Sequence, residues 1–120
     1  MNQKRANKYR DLEERTFQCA KRCRDFVKRL PRTISNIEYG KQLIRSSASQ
    51  AANYIEANES LSKKDFAFRI KICRKEAKES DLWLNLCDVG SKDIENEREY
   101  LIGEVGELRR IFSSILDKTK

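Results

Sequence analysis

The sequence lacks several residue types that enzymes and β proteins use. It has no histidine, one proline and four glycines in 120 residues. Without histidine, the Glu-x-x-His metal pattern of ferritin-like bundles and the histidine-dependent mechanisms of nucleases and hydrolases are excluded. So little proline and glycine is untypical of a turn-rich β protein and favours an all-α protein.

Long apolar runs are also missing. No segment approaches the ~18 apolar residues that a membrane-spanning helix needs. The basic N-terminus has no apolar segment behind it, so it resembles neither a secretory signal nor an anchor. We therefore expect a cytoplasmic protein with no membrane partner.

The four cysteines show no Cys-x-x-Cys pairing. Cys19 and Cys23 are one helical turn apart, whereas Cys73 and Cys87 lie far along the chain. A zinc site of four thiolates is the alternative, but structural zinc ligands are usually closely paired. We predict reduced thiols buried in the core of a cytoplasmic protein.

Carboxylates offer the remaining route to catalysis. A metal site made only of carboxylates would use Glu56, Glu59, Glu76 and Glu79. We interpret Glu76 and Glu79 as charges on the outer face of the third helix, and the other two as solvated groups near a helix end. With no nucleophile–base pair and no Gly-rich phosphate loop, we predict no catalytic residue, no metal, no cofactor and no enzymatic activity.

Charge is unevenly distributed. Residues 1–32 hold 11 Lys/Arg and 4 Asp/Glu, whereas residues 33–120 hold 15 of each, so the first quarter carries the whole net charge of +7. Such asymmetry points to an anionic partner, of which nucleic acid is the commonest. A basic face that only aids solubility is the alternative.

The first predicted helix ends at Pro31 and combines an apolar stripe with a basic surface. The stripe comprises Leu12, Thr16, Cys19, Ala20, Cys23, Phe26, Val27 and Leu30. A short basic arm over about residues 1–9 precedes the helix. The predicted nucleic-acid-binding residues of the arm and helix are Arg5, Lys8, Arg10, Arg15, Lys21, Arg22, Lys28 and Arg29.

The second helix is predicted over about Asn36 to Asn58. Its expected core stripe is Ile37, Ile44, Ala48, Ala51 and Ile55. The opposite face is polar but uncharged, which is unexpected for a surface that meets only water in so charged a chain. We predict that this face contacts another chain through Gln42, Ser46, Ser49, Gln50 and Asn53.

The third helix is predicted to begin at Ser62, which resembles the start of a capping box with Asp65. Its core stripe is Phe66, Ile70, Cys73, Ala77, Ser80, Leu84 and Cys87. The other side is also apolar at about 100° per residue. We therefore predict an oligomer interface at Phe68, Ile72, Leu82 and Leu86.

A fourth amphipathic helix is predicted from about Asp93 to Lys118 after a break at Gly90 and Ser91. Its stripe is Ile94, Leu101, Val105, Leu108, Phe112 and Ile115. Four helices with short connections predict an antiparallel up-down-up-down four-helix bundle, with residues 1–120 forming one domain. Gly103 and Gly106 are expected to mark close packing.

Several short motifs between Tyr39 and Leu84 carry a family resemblance. They fall at 42–47, 53–57, 62–66 and 76–79. This ordered run resembles the central segment of the bacterial four-helix-bundle family, also called the 23S ribosomal RNA intervening-sequence protein family. One departure is Gln50-Ala51, where small or apolar residues, often Gly or Pro, are common in the family.

The resemblance implies a cytosolic bundle that forms a ring-shaped homopentamer. Related accessory proteins of diversity-generating retroelements are similar pentamers that bind nucleic acid and a reverse transcriptase. The leading hypothesis is therefore a non-catalytic homo-oligomer that binds RNA or other nucleic acid through basic surfaces. The alternative is a structural or scaffolding oligomer that binds a protein partner and has no direct role with nucleic acid.

Overall fold

The computed structural model describes the backbone of residues 3–120 and the side chains of residues 11–120. Four helices make up this part of the chain: α1 (Gln3–Arg29), α2 (Ile34–Asn58), α3 (Lys63–Leu86) and α4 (Lys92–Lys118). α1 begins at Gln3, within the segment of about residues 1–9 that was predicted as a basic arm. The helix continues through most of that segment.

Local sequence signals fix the helix boundaries. Thr33, Ser62 and Ser91 are the N-caps of α2, α3 and α4. Each side-chain oxygen accepts a hydrogen bond from the backbone N–H three residues later, at 3.1, 3.0 and 3.3 Å respectively. These bonds satisfy N–H groups that have no partner inside the helix. The predicted cap between Ser62 and Asp65 is confirmed.

The helices form the predicted all-α, up-down-up-down bundle. Each helix packs against its neighbours in sequence, and α4 packs back against α1. Contact is most extensive between α2 and α3 and least extensive between α1 and α4. In the core, the rings of Tyr54 on α2 and Phe112 on α4 lie 6.2 Å apart.

Three of the four predicted core stripes are confirmed in their main members. The predicted stripe residues that are fully or almost fully buried in or next to α1, α3 and α4 are Leu12, Cys19, Cys23, Phe26, Leu30, Ile70, Cys73, Ala77, Leu84, Ile94, Leu101, Val105, Leu108 and Phe112. Leu116 of α4 is also buried, whereas the predicted Ile115 is only half-buried. The core is therefore built by the heptad-like spacing of these helices.

The predicted orientation of α2 is wrong. Ile37, Ile44 and Ile55 are 40%, 40% and 47% exposed, whereas Ser46 and Gln50 are fully buried. The helix buries a different stripe, in which small and polar residues accompany Leu43 and Tyr54. Its members are Asn36, Gly40, Leu43, Ser47, Gln50, Tyr54 and Ala57, and Ser46 and the predicted core residue Ala51 are buried beside them.

The small size of its side chains and the hydrogen bonds they form explain why α2 buries this face. A Cβ at Gly40 would lie 2.7 Å from Cγ1 of Val27, so α1 and α2 pack closely at this position. The buried hydroxyls of Ser46 and Ser80 are 2.8 Å apart and hydrogen bond across α2 and α3. Burying a polar group that keeps such a hydrogen-bond partner costs the folded state little free energy.

Asn36 connects the two interhelical turns at one end of the bundle. Its amide nitrogen donates to the carbonyl oxygens of Pro31 and Asp88, at 2.9 and 3.0 Å. Its amide oxygen accepts from the backbone N–H of Asp88 at 2.9 Å. One buried side chain therefore holds the α1–α2 turn against the α3–α4 turn.

Candidate nucleic-acid interface and oligomer surfaces

Two of the predicted nucleic-acid-binding arginines join α1 to α4. Arg15 donates from Nε and Nη2 to the two carboxylate oxygens of Glu104, at 2.8 and 2.9 Å, and contacts Glu107 at 3.1 Å. Arg22 donates from Nε and Nη2 to Glu97 at 2.6 and 2.9 Å. Both pairs therefore have the bidentate geometry that favours arginine over lysine.

In these contacts, carboxylates of α4 neutralise the positive charge of both arginines. The hydrogen bond to Glu104 raises the pKa of Arg15, despite the opposing effect of burial. The Arg22 guanidinium also lies 3.7 Å from the ring centre of Tyr100. The structure therefore uses Arg15 and Arg22 to hold α1 against α4, and the prediction that they are free phosphate ligands is not supported.

The matched spacing of these pairs is visible in the sequence. Arg15 and Arg22 are seven residues apart, as are Glu97 and Glu104. In antiparallel helices, two such pairs meet on facing sides. The same spacing that placed the arginines on one helix face also indicates an ion-paired seam.

The other predicted cations of α1 have a different environment. Lys21, Lys28 and Arg29 are exposed, and the described side chains provide no ion pair for any of them. The ammonium group of Lys21 lies 5.7 Å from the ring centre of Phe17, which is itself 51% exposed. The side chains of Arg5, Lys8 and Arg10 lie outside the described residues.

An open groove of about 570 Å³ follows the seam between α1 and α4. Its lining includes Arg15, Arg22, Tyr100, Glu104 and the nearly buried Cys19. Arg15, Arg22, Glu104 and Asp25 along this groove already have ion-pair partners, and Lys21 is the lining residue that has none among the described side chains. It therefore offers a polar cleft rather than a set of free ligands.

The predicted interface residues of α2 lie along the seam between α2 and α3. Gln42, Ser49 and Asn53 are half-buried there, whereas Ser46 and Gln50 are buried within the single chain. The assignment of Ser46 and Gln50 to an outward surface is therefore wrong. This face is uncharged because most of it packs against α3.

Asn53 has partners on both helices. Its amide nitrogen donates to the Ser49 carbonyl oxygen at 2.9 Å, and its amide oxygen accepts from Nη1 of Arg69 at 3.0 Å. Asn53 therefore supports the α2–α3 contact, while Glu56 nearby is exposed.

Two carboxyl groups lie in the same seam. Glu76 is only 5% exposed, so its interpretation as an outer-face charge is wrong. Its Oε2 is 3.7 Å from Nη1 of Arg45. Oε1 of Glu76 and Oε2 of Glu79 are buried and find no donor among the described groups. A proton shared between the two side chains would satisfy both oxygens.

The pKa values of this pair move in opposite directions. Its hydrogen bond to Glu76, together with burial, raises the pKa of Glu79. Burial opposes ionisation of Glu76, but hydrogen bonds from Glu79 and Ser49 and the charge of Arg45 outweigh it and lower the pKa of Glu76. When the pair shares one proton, Glu79 is therefore the side chain that holds it and Glu76 carries the negative charge.

Two separate apolar surfaces remain exposed. The α3 stripe comprises Phe68, Leu82 and Leu86, which are 58%, 49% and 42% exposed, together with half-buried Ile72. These exposures match the predicted second apolar face of α3. The α2 stripe comprises Ile37, Ile44, Ala48 and Ile55.

The α2 stripe is a surface that the sequence pattern assigned to the core. At about 100° per residue, Ile37 and Ile44 lie about 160–180° around α2 from Ser46, which contacts α3. The α2 stripe and the α3 stripe are therefore distinct surfaces. The missed signal was the alternation of four- and three-residue steps from Asn36 to Ala57, which defines the true core stripe.

The cysteines are all free and buried, as predicted. Burial raises the pKa of Cys73 to about 12 and that of Cys87 to about 11. A hydrogen bond from Cys23 lowers the pKa of Cys19, against the effect of burial. In the described part of the chain, no group of three or more Cys, Asp or Glu side chains is arranged to hold a metal ion.

Helix length and hydropathy bear on the membrane question. Within the described chain, no helix is both long and apolar enough to cross a membrane.

The fold defines the class of protein: an all-α four-helix bundle with two exposed apolar stripes. The model of the 23S rRNA-intervening sequence protein family matches residues 10–114. The chain belongs to this family.

Solved structures support the same assignment. A Bacteroides thetaiotaomicron protein of unknown function from the S23 ribosomal protein family is 26% identical and superimposes with a TM-score of 0.75. The match covers 87% of this chain and 96% of that one. A search of curated proteins found no significant match.

Proposed function

We propose that the protein is a non-catalytic homo-oligomer that binds RNA or other nucleic acid through basic surfaces. The oligomer of this proposal is a pentameric ring, and it acts in the cytoplasm. The observation that carries this proposal is the exposure of two unlike apolar stripes on one small bundle. A monomer rarely leaves so many large apolar side chains in water without a partner.

The separation of the stripes favours a ring over a two-fold dimer. When the α3 stripe of one copy packs on the α2 stripe of the next, the contact joins two different surfaces. Such a heterologous contact repeats until the rotation closes a ring. Both stripes are used once in every copy, so none of this apolar surface stays in water.

Nucleic acid is the favoured ligand because exposed cations remain after the internal ion pairs are counted. Lys21, Lys28 and Arg29 retain their charge on the surface of α1. The net charge of +7 repeats in every copy of an oligomer. Several weak phosphate contacts then act together through avidity.

A scaffold that binds a protein partner is the second candidate, and it rests on the apolar stripes. Salt dependence separates the two functions, because phosphate contacts weaken steeply with salt and apolar contacts do not. The test combines light scattering of the purified protein with fluorescence anisotropy of labelled RNA and duplex DNA between 50 and 300 mM salt. We expect an oligomer whose affinity falls steeply with salt; an oligomer without affinity at low salt would support the scaffold.

A further inference from the structure

Arg22 of α1 and Tyr100 of α4 form a stack on the surface of the bundle. The Arg22 guanidinium lies over the Tyr100 ring, 3.7 Å from its centre. Its Nε and Nη2 atoms donate to the carboxylate of Glu97 at 2.6 and 2.9 Å. Because such a bidentate contact lies in the plane of the guanidinium, Glu97 fixes its orientation and covers neither of its flat faces. Arg22 and Tyr100 together are called the Arg22–Tyr100 stack.

The stack is accessible from solvent. The side chain of Arg22 is 47% exposed, and Tyr100 is 49% exposed. Tyr100 covers one face of the guanidinium, and Glu97 neutralises its charge. The other face is therefore a flat and weakly hydrated surface, of the kind on which planar aromatic groups stack.

The stack lines the groove between α1 and α4. The groove volume of about 570 Å³ lies within the range of about 300–1,000 Å³ that small-molecule sites have. Gln18 adds a neutral amide to the lining, and an amide both donates to and accepts from the polar edge of a ring.

Gly103 follows Tyr100 by one helical turn. It is exposed, and a Cβ added there would meet no atom within 4 Å. The expectation that Gly103 marks close packing is therefore wrong. This turn of α4 carries no side chain that blocks the approach to the Tyr100 ring.

The charges in the groove favour a neutral ligand. Arg15 and Arg22 are held by Glu104 and Glu97, so a phosphate group inside the groove would have to displace a carboxylate. A nucleobase is planar and neutral, and it stacks on aromatic rings and on guanidinium planes. Lys21 lines the groove, is exposed and has no ion pair with the described side chains. It is therefore available for the phosphate that adjoins such a base.

The groove lies on a side of the bundle that the apolar stripes leave free. Arg22 lies about 140° around α1 from Val27, which packs against α2. Tyr100 lies about 160° around α4 from Arg98, which donates to the Cys87 carbonyl oxygen at the end of α3. The stack therefore faces away from α2 and α3. Contacts between the α2 stripe of one copy and the α3 stripe of the next leave it open.

From these features we propose that the protein binds single-stranded nucleic acid by stacking one unpaired base on the Arg22–Tyr100 stack in the α1–α4 groove. The proposal deepens the proposed function, on which it rests, by naming the kind of strand and the residues that hold a base. Within a duplex, neighbouring base pairs cover both faces of every base, so a duplex has to extrude a base before it reaches the stack. Arg22 then acts as a stacking plane rather than as the predicted phosphate ligand.

Three variants and a matched control test the stack. Tyr100→Ala removes the ring, Arg22→Lys keeps the charge but removes the flat guanidinium, and Tyr100→Phe keeps the ring. The control is Phe17→Ala, which removes another exposed ring that has a cation nearby but lies outside the groove. Affinity for a labelled, unstructured 20-mer RNA and for a 20-bp RNA duplex is measured by fluorescence anisotropy between 50 and 300 mM salt. Circular dichroism and particle mass verify the fold and the assembly of each variant.

We expect Tyr100→Ala to bind the single strand about 5- to 150-fold more weakly than the wild type, which is the range for loss of one stacked base. Arg22→Lys should also weaken this binding, whereas Tyr100→Phe and Phe17→Ala should keep the wild-type affinity. Because a neutral base releases no counterions, the loss should be the same factor at every salt concentration. Affinity for the duplex should change little.

Unchanged affinity for the single strand in Tyr100→Ala or in Arg22→Lys would overturn the groove assignment and leave the proposed function standing. So would a loss that is equal for single strand and duplex, or a loss in Tyr100→Ala no larger than that in Phe17→Ala. A wild-type protein that binds neither RNA at the lowest salt would overturn both the groove assignment and the proposed function.

Discussion

Placing one charge in the α3 stripe should dissociate the oligomer. Leu82 is 49% exposed in the single chain, so about half of its surface remains to be buried. Full burial of a leucine is worth about 1.5–3 kcal/mol, which leaves about 1 kcal/mol for assembly. The Leu82→Asp variant loses this gain and also places an unpaired carboxylate against an apolar surface, at a further cost of several kcal/mol.

The combined loss of about 3 kcal/mol or more per contact corresponds to self-association weakened at least about 100-fold. The assay is sedimentation velocity over a dilution series, with circular dichroism to verify the helices. Ser114→Asp, on the exposed surface of α4, is the control for added charge. If Leu82→Asp keeps the wild-type mass at every concentration, the α3 stripe is not an oligomer interface and the reasoning fails.

Three further predictions concern the stability of the bundle. Because the fold raises the pKa of Glu79, the protonated side chain stabilises the folded state; this stability is complete below the unfolded pKa of about 4.3 and is lost as the pH rises through the raised pKa. Urea titrations at several pH values should show this loss in the wild type and little of it in the Glu79→Gln variant. Equal pH profiles for the two proteins would contradict the shared proton. Gly103→Ala should raise the free energy of unfolding by about 0.5–1 kcal/mol, because alanine has the higher helix propensity and its methyl group enters open space. Gly40→Ala should lower the free energy of unfolding, because its methyl group would collide with Val27. The reverse order of stability in thermal melts would contradict the packing. Gln50 is fully buried and, apart from an interaction with the Cys19 thiol, its amide atoms find no hydrogen-bond partner among the described residues. Gln50→Leu should therefore stabilise the fold by about 1 kcal/mol or more in the same melts, and a destabilised variant would mean that the amide has a role in the core.

Helix number, boundaries and most of the core could be predicted because local signals and periodicity agree. Pro31, Ser62 and the break at Gly90 mark the ends of helices without reference to tertiary structure. In α1 and α4 most of the large apolar residues also follow the core spacing, so periodicity and residue size pointed to the same face. In α3 the core spacing alone identified Ile70, Cys73 and Leu84, because Phe68, Leu82 and Leu86 form a second apolar face.

In α2 the two signals disagree, and the prediction followed the wrong one. Ile37, Ile44 and Ile55 are the more apolar residues, yet the helix buries Gly40 and Ser47 at regular four- and three-residue steps. Close helix approach selects small side chains, and hydrogen bonds compensate for the burial of Asn36 and Ser46. The isoleucines are then left outside, which makes them part of the proposed oligomer surface.

The basic surface shows a second limit of sequence reasoning. Net charge by segment correctly found an excess in residues 1–32, but it does not reveal which cations are neutralised by distant carboxylates. Arg22 and Glu97 are 75 residues apart in sequence and 2.6 Å apart in space. Only the tertiary structure separates the paired arginines of α1 from Lys21 and Lys28 of the same helix, which have no ion pair with the described side chains.

Sedimentation of the wild-type protein with a labelled RNA tests the central claim most directly. We expect the RNA at low salt to move with a protein particle whose mass is a multiple of 14.1 kDa, five copies in the proposed ring, and to be released as salt rises. Protein sedimenting as a 14.1 kDa monomer, with free RNA beside it at the lowest salt, would contradict both the assembly and the nucleic-acid function.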